Sequence, residues 1–176
     1  VRAFGQQKRA CARANARLDA LAPNLAEAIE QAAQELADGH FDGHFPLSIW
    51  QTGSGTQTNM NANAVIATRA NVLLGNALGR KSPVHPNDHV NRSQSSNDSF
   101  PTVMHLTTVV QLRSRLLPAL SRLHAELNAK ADAWRDVLKI GRTHMMDAVP
   151  MSQGQAFESF AHQIYHGMAR IEACMP

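Results

Sequence analysis

The sequence holds 176 residues, 44% of them hydrophobic and 18% charged, enough to bury one or two cores and too apolar for a disordered tail. Aromatic residues make up only 5%, which together with abundant Ala, Leu and Gln favours helices over a β-sandwich or barrel; Cys11 and Cys174, far apart, exclude a disulfide scaffold and read as reduced thiols of a cytoplasmic protein. The formal charge of +3, from 17 basic and 14 acidic residues without a basic run, is too mild to imply nucleic acid and fits a small anionic ligand; neither a membrane span nor a secretory leader is read in the sequence.

In chain order, residues 2 to about 22 read as a helix with Phe4, Cys11 and Leu18 at heptad spacing, closed near Pro23. A second helix carries Leu25, Ile29, Ala32, Ala33 and Leu36 at intervals of three and four, with Gly39 placed to stop it. Gly39 to Gly55 reads as loop, with one short strand at Leu47-Ser48-Ile49-Trp50 as an option. The helical pattern returns from about Thr58 to Leu74, and residues 75 to 92 are expected to be irregular. From Pro101 to about Trp134 a three-four rhythm describes one long helix, at ~1.5 Å per residue a rod of roughly 50 Å. Asp98 and Ser99 are placed to cap it and Pro118 to bend it. Lys139 to Pro150 reads as loop, and a last helix with Phe157, Phe160, Ile164, Met168 and Ile171 is expected to run on to the chain end.

The expected fold class is therefore all-α. Residues 1–93 would form a small, mainly helical N-terminal domain, and residues 94–176 the first long helices of a bundle. Two long amphipathic helices leave apolar stripes that need partners from further sequence or other subunits. The start at Val1 and the stop at Met175-Pro176 within an apolar-periodic stretch read as cuts in something longer.

Three polar segments adjoin helix starts. In Thr52-Gly53-Ser54-Gly55-Thr56-Gln57-Thr58-Asn59-Met60-Asn61, glycines let the backbone approach a ligand, and hydroxyls and amides at a helix N-terminus suit a carboxylate or phosphate; an ordinary capped helix after a flexible loop explains the pattern equally well. His85-Pro86-Asn87-Asp88-His89-Val90-Asn91-Arg92 followed by Ser93-Gln94-Ser95-Ser96-Asn97-Asp98 is rich in short hydrogen-bonding side chains, although Asn and Asp also favour turns. Gly141-Arg142-Thr143-His144 offers a histidine able to exchange a proton near neutral pH beside a hydroxyl, and a plain surface histidine is the competing account. The pairs His40/His44 and His162/His166 lack a completing ligand, so no metal site is expected.

Together, Gly53-Ser54-Gly55-Thr56-Gln57-Thr58-Asn59-Met60-Asn61, His85-Pro86-Asn87-Asp88 with Ser95-Ser96-Asn97-Asp98, and Gly141-Arg142-Thr143-His144 resemble, in wording and order, the class II fumarases of the aspartase/fumarase superfamily. Aspartate ammonia-lyases of that superfamily are the alternative, and Ser54, Gln57 and Ser96 favour the fumarases. The resemblance implies reversible hydration of fumarate to (S)-malate in the tricarboxylic acid cycle, without metal or organic cofactor, by a homotetramer with a large helical bundle. By the same resemblance Ser54, Gly55, Thr56, Ser95, Ser96, Asn97 and Thr143 would bind substrate carboxylates, and His144 would be the proton donor/acceptor. His85, Pro86, Asn87 and Asp88 would form a second, non-catalytic dicarboxylate site; many relatives carry a basic residue close ahead of it, whereas here Arg80 and Lys81 are followed by Ser82-Pro83-Val84. The family's loop Gly-Ser-Ser-x-Met-Pro-x-Lys-x-Asn is absent from this sequence, so the 176 residues alone are expected to be inactive. A helical interaction fragment without activity is the rival from a different class.

Overall fold

The computed structural model describes residues 1–48 and 55–175. The chain divides into two compact units, Val1–Thr107 and Thr108–Pro176.

The first unit opens with α1 (Arg2–Arg17), α2 (Pro23–Ala37) and α3 (Thr56–Leu73). All three helices close in the same way. After α2 and α3 the chain turns left-handed at Gly39 (φ +90°) and Gly75 (φ +81°), and the next residues reach back, His40 N–H to Glu35 O and Asn76 N–H to Asn71 O, satisfying carbonyls that the helix leaves open. α1 uses Asp19 (φ +53°) with Ala20 N–H donating to Asn15 O, which is why it ends at Arg17 and not near residue 22 as expected. A left-handed Asp carries a weaker sequence signal than Gly.

The core of this unit lies between α1, α2 and α3. Ile29, Ala32, Ala33 and Leu36 on α2 meet Ala62, Ile66, Ala67 and Ala70 on α3, with Phe4 and Ala12 from α1. Full burial of a side chain such as Ile29 or Leu36 contributes roughly 1.5–3 kcal/mol. The alanines contribute little area but let the helix backbones approach closely. At Gly5 a Cβ would collide with the Ala33 carbonyl and the Ala37 backbone, so α1 and α2 cross there in near backbone contact. The buried face of α3 changes character along its length: Asn59 and Asn63 at the start, then Ile66, Ala67 and Ala70, and finally Asn71. Asn71 is fully used. Its amide donates to Arg80 O and Val84 O and accepts from Val84 N–H, pinning the segment after α3. The region expected to be irregular also contains a π-helical turn, Pro86–Val90, anchored by the buried Val84 and Val90.

α4 (Ser96–Gln111) starts five residues earlier than the pattern from Pro101 suggests. Ser95, not Asp98 or Ser99, closes its start: Ser95 Oγ accepts from Asn97 N–H, and Ser95 O accepts from Asp98 and Ser99 N–H. Asp98 stands in the first turn, where its charge complements the helix dipole, and Ser99 is wholly buried. The expected long rod is then interrupted by a π-helical turn, Leu112–Leu116, ahead of α5 (Leu117–Ala133). Pro118 has no N–H for the carbonyl four residues back and its ring crowds that position; a local π turn relieves both problems.

In the second unit α5 pairs with α6 (Gln153–Ala173). Residues expected to be loop form a hairpin instead, β1 (Leu138–Thr143) and β2 (Met146–Ser152), antiparallel with Thr143 opposite Met146. The sequence lacks the Asn-Gly or Asp-Gly that marks such a turn; His144 and Met145 themselves adopt φ +48° and +59°. α6 begins with a capping box, Gln155 N–H to Ser152 Oγ and Ser152 N–H to Gln155 Oε1, and ends at Ala173. Cys174 follows as its C-terminal cap, two residues short of the expected end. Cys11 and Cys174 are both free thiols.

Gly5→Ala should destabilise the first unit by about 1–3 kcal/mol, since the added methyl meets backbone that cannot rotate away. Denaturant unfolding of the two proteins checks this.

Candidate functional site

Two of the three polar segments meet at the start of α3 and the start of α4. Asn59, in the first turn of α3, donates from Nδ2 to Ser96 Oγ at 2.8 Å, and Gly55, the residue before α3, lies against the Phe100 ring of α4. Gly55 has φ +69°, and a Cβ there would overlap Phe100, so both conformation and space require glycine. The result is two helix N-termini, each the positive end of a helix dipole, joined by one hydrogen bond. The first turn of α3 holds no acidic residue. A small anion is the ligand class that such a place favours.

Behind these helix starts lies a buried polar network. Asn91 Oδ1 accepts from Lys8 Nζ at 3.1 Å, Asn59 Nδ2 at 3.1 Å and Asn63 Nδ2 at 3.0 Å. Lys8 also donates to Gln94 Oε1 at 2.8 Å, and Gln94 Nε2 donates to Val90 O and Arg92 O. Asn15 Nδ2 donates to Arg92 O, so α1 holds the 91–94 segment at two points. Lys8 is fully enclosed and has no carboxylate within ion-pair distance among the described residues. Burial pushes its ammonium down to about 8 from the ordinary 10.5, opposed by the Cys11 thiolate charge. Asn59 Oδ1, Asn63 Oδ1 and Ser99 Oγ are buried without a hydrogen-bond partner among the described residues. Orphaned polar atoms concentrated at one place mark a spot where stability alone does not set the arrangement. Asn91 lies within the polar stretch from His85 to Asp98 that the sequence singles out; Lys8 and Asn63 lie in none of the three segments. Lys8 sits on the helix face that carries Phe4 and Ala12 at intervals of four, an out-of-pattern charge that could have been noticed.

The sequence-predicted residues divide as follows. Gly55 is buried, while Thr56 is exposed at the first position of α3. Ser95 and Asn97 are exposed and Ser96 half-buried at the start of α4. Ser54 lies outside the described residues, as do Ile49 and Trp50 of the short strand. His85, Pro86, Asn87 and Asp88 form the entry to the π-helical turn in the same unit. There His85 Nδ1 lies 3.3 Å from Asp88 N–H and 3.0 Å from Asp88 Oδ2. A neutral ring with its lone pair on Nδ1 accepts from the amide, while a protonated one donates to the carboxylate, so the nitrogen serves one partner at a time. Thr143 and His144 belong to the second unit, at the tip of the β1–β2 hairpin, and both are exposed. His144 is held left-handed, a conformation that costs a non-glycine residue roughly 1–2 kcal/mol. Strain of this kind gathers at functional positions.

A family model described as "Lyase" matches residues 1–176. The chain is 57% identical over 176 residues to the class II fumarate hydratase of Caulobacter vibrioides, covering 100% of this chain and 38% of that protein. It is 56% identical over the same length to the mitochondrial fumarate hydratase of Schizosaccharomyces pombe, of which it covers 34%. Among solved structures, a recombinant class II fumarase from Schistosoma mansoni superposes with a TM-score of 0.94 at 43% identity, over 98% of this chain and 36% of that one. The chain thus spans little more than a third of the length of the relatives it matches.

The buried ammonium gives a pH signature. Below pH 8, Lys8 is protonated both folded and unfolded and the cost of burying its charge is present in full. Between about 8 and 10.5 the unfolded chain holds a proton that the folded one has released, so this residue's contribution to stability rises with pH, by up to about 3 kcal/mol. Cys11, whose thiol burial pushes up, works in the opposite direction above its ordinary value. The difference in unfolding free energy between wild type and Lys8→Met isolates the lysine: wild type should gain on the variant from pH 8 to 10.5, and a constant difference would contradict the assignment.

Proposed function

The chain belongs to the lyase family whose model spans it, and from that membership we propose that the whole protein is a class II fumarate hydratase, converting fumarate and (S)-malate reversibly. The observation that carries this reading is the Asn59–Ser96 hydrogen bond, which joins the two helix starts bearing the family-like motifs into one polar place. Ser54, Gly55 and Thr56, with Ser95, Ser96, Asn97 and Thr143, are the proposed carboxylate-binding residues.

The chemistry suits such groups. Removing the C3 proton of malate places a second negative charge on the adjacent carboxylate, giving an aci-carboxylate dianion. Short, preorganised hydroxyl, amide and backbone donors stabilise that dianion more than the ground state, and this difference lowers the barrier. Loss of hydroxide needs a general acid, the role proposed for His144. We propose no metal or organic cofactor, because water is the only co-reactant and the developing charge is met by hydrogen bonds.

His85, Pro86, Asn87 and Asp88 are proposed as a second dicarboxylate site. Residues 1–93 are proposed as the N-terminal domain and 94–176 as the opening of a central bundle. A homotetramer is the proposed assembly, supported by Leu116, Leu123, Phe160 and Tyr165, large side chains on the π turn, α5 and α6 that stand exposed in the chain alone. The isolated 176 residues are proposed to be inactive. No helix among the described residues is long and apolar enough to cross a membrane, and the cytoplasm is the proposed compartment.

Ultraviolet absorbance of fumarate in the presence of the whole protein tests the activity: loss of absorbance in water alone supports hydration, whereas loss only with added ammonia makes it an aspartate ammonia-lyase. His144→Asn should lower turnover by about 100-fold or more with the melting temperature retained, the usual worth of general acid-base catalysis. Near wild-type turnover would remove His144 from the mechanism.

A further inference from the structure

Lys8 belongs to α1, apart from the starts of α3 and α4, yet its ammonium is, among the described residues, the one charged group in the network behind Ser96. An apolar side chain of similar volume would fill the space without the cost of burying a charge, so packing does not account for a lysine here. What an ammonium has that no apolar or amide side chain has is direction: it donates only.

That direction propagates. Facing Lys8, Asn91 must present its oxygen, and its Nδ2 turns to Gln94 O at 3.1 Å. With Asn91 Oδ1 fixed, Asn59 and Asn63 must face it with their nitrogens, 3.1 and 3.0 Å away. The same Asn59 Nδ2 then donates to Ser96 Oγ at 2.8 Å. The price is visible in the other amide oxygens, Asn59 Oδ1 and Asn63 Oδ1, which are left buried and unpartnered among the described residues. A hydroxyl has one proton and two lone pairs; once a lone pair of Ser96 accepts from Asn59, its proton is available to a ligand. Turned the other way, Asn59 would offer an oxygen, and the Ser96 proton would be spent on it.

Resting on the proposed role of Ser96 in binding a substrate carboxylate, we infer that Lys8 is a positioning residue: from α1 it sets the direction of the hydrogen bonds Lys8–Asn91–Asn59–Ser96, so that the Ser96 hydroxyl donates outward to substrate. Lys8 touches no substrate. It acts through two amides, and its effect ends at one hydroxyl.

The test is a double-mutant cycle in the whole protein, with kcat/KM for fumarate hydration as readout. Wild-type turnover of fumarate is measured first, so that failure of the fumarate hydratase reading is seen separately. Lys8→Met should lower kcat/KM by about tenfold to a hundredfold, the scale of a lost hydrogen bond to a charged group. In a Ser96→Ala background the same change should matter less than about twofold, because the group through which Lys8 acts is already gone. Equal losses in both backgrounds would mean that Lys8 only supports the fold and would overturn the inference, as would no loss in either. Should Lys8→Met fail to fold, Asn59→Asp, which presents only acceptors toward Ser96, must show the same dependence on Ser96 in its place. Additivity there overturns the inference as well.

Discussion

The buried Lys8 ammonium, with no carboxylate partner among the described residues, must find neutral acceptors, and it finds them on the segment that leads into α4. Lys8 holds Asn91 and Gln94, Asn15 holds the Arg92 carbonyl, and Asn91 gathers Asn59 and Asn63 from α3. Three elements distant in sequence are thereby tied at one point, and that point lies directly behind two helix starts. The apolar core of α1, α2 and α3 encloses the lysine; the lysine in turn fixes which way the amides face. Stability and function meet in the same few side chains, at the cost of polar atoms that find no partner.

The small side chains of the core serve the same end. Ala32, Ala33, Ala62, Ala67 and Ala70, with Gly5 where α1 crosses α2, let the helix backbones approach closely. Asn has little reach. A core of larger residues would hold α1 and α3 too far apart for the contacts near 3 Å on which the network depends. Alanine-rich packing, which reads in the sequence as mere helix propensity, is therefore also what permits the polar junction.

Much of this was legible in the sequence, and the parts that were not have identifiable physical causes. The helices α2 and α3 stop where Gly39 and Gly75 said they would, since glycine advertises a left-handed turn; α1 stops in the same geometry at Asp19, which does not. The β1–β2 hairpin was hidden for the same reason: its turn is built from His144 and Met145, residues that rarely tolerate positive φ. The start of α4 was placed late because Pro101 looks like a beginning, whereas it stands inside the helix. Motif wording singles out Gly55, Ser95, Ser96 and Asn97, and the structure puts these residues at the neighbouring starts of α3 and α4. The same wording gave no hint of Lys8, because a lone lysine in an amphipathic helix is ordinarily solvated; its place on the Phe4 and Ala12 face is the one sequence signal it carries. The two units explain a further limit. Ser96 belongs to one and His144 to the other, and a sequence motif says nothing about what distance separates two groups in space.

The central claim is that the junction of α3 and α4, primed through Asn59, presents the Ser96 hydroxyl to a four-carbon dicarboxylate. Calorimetric titration of the whole protein with succinate, which has the two carboxylates but no double bond to hydrate, addresses it without relying on turnover. Ser96→Ala should weaken succinate binding by about tenfold or more, as loss of a hydrogen bond to a charged group does. Unchanged affinity, with the variant folded, would contradict the account.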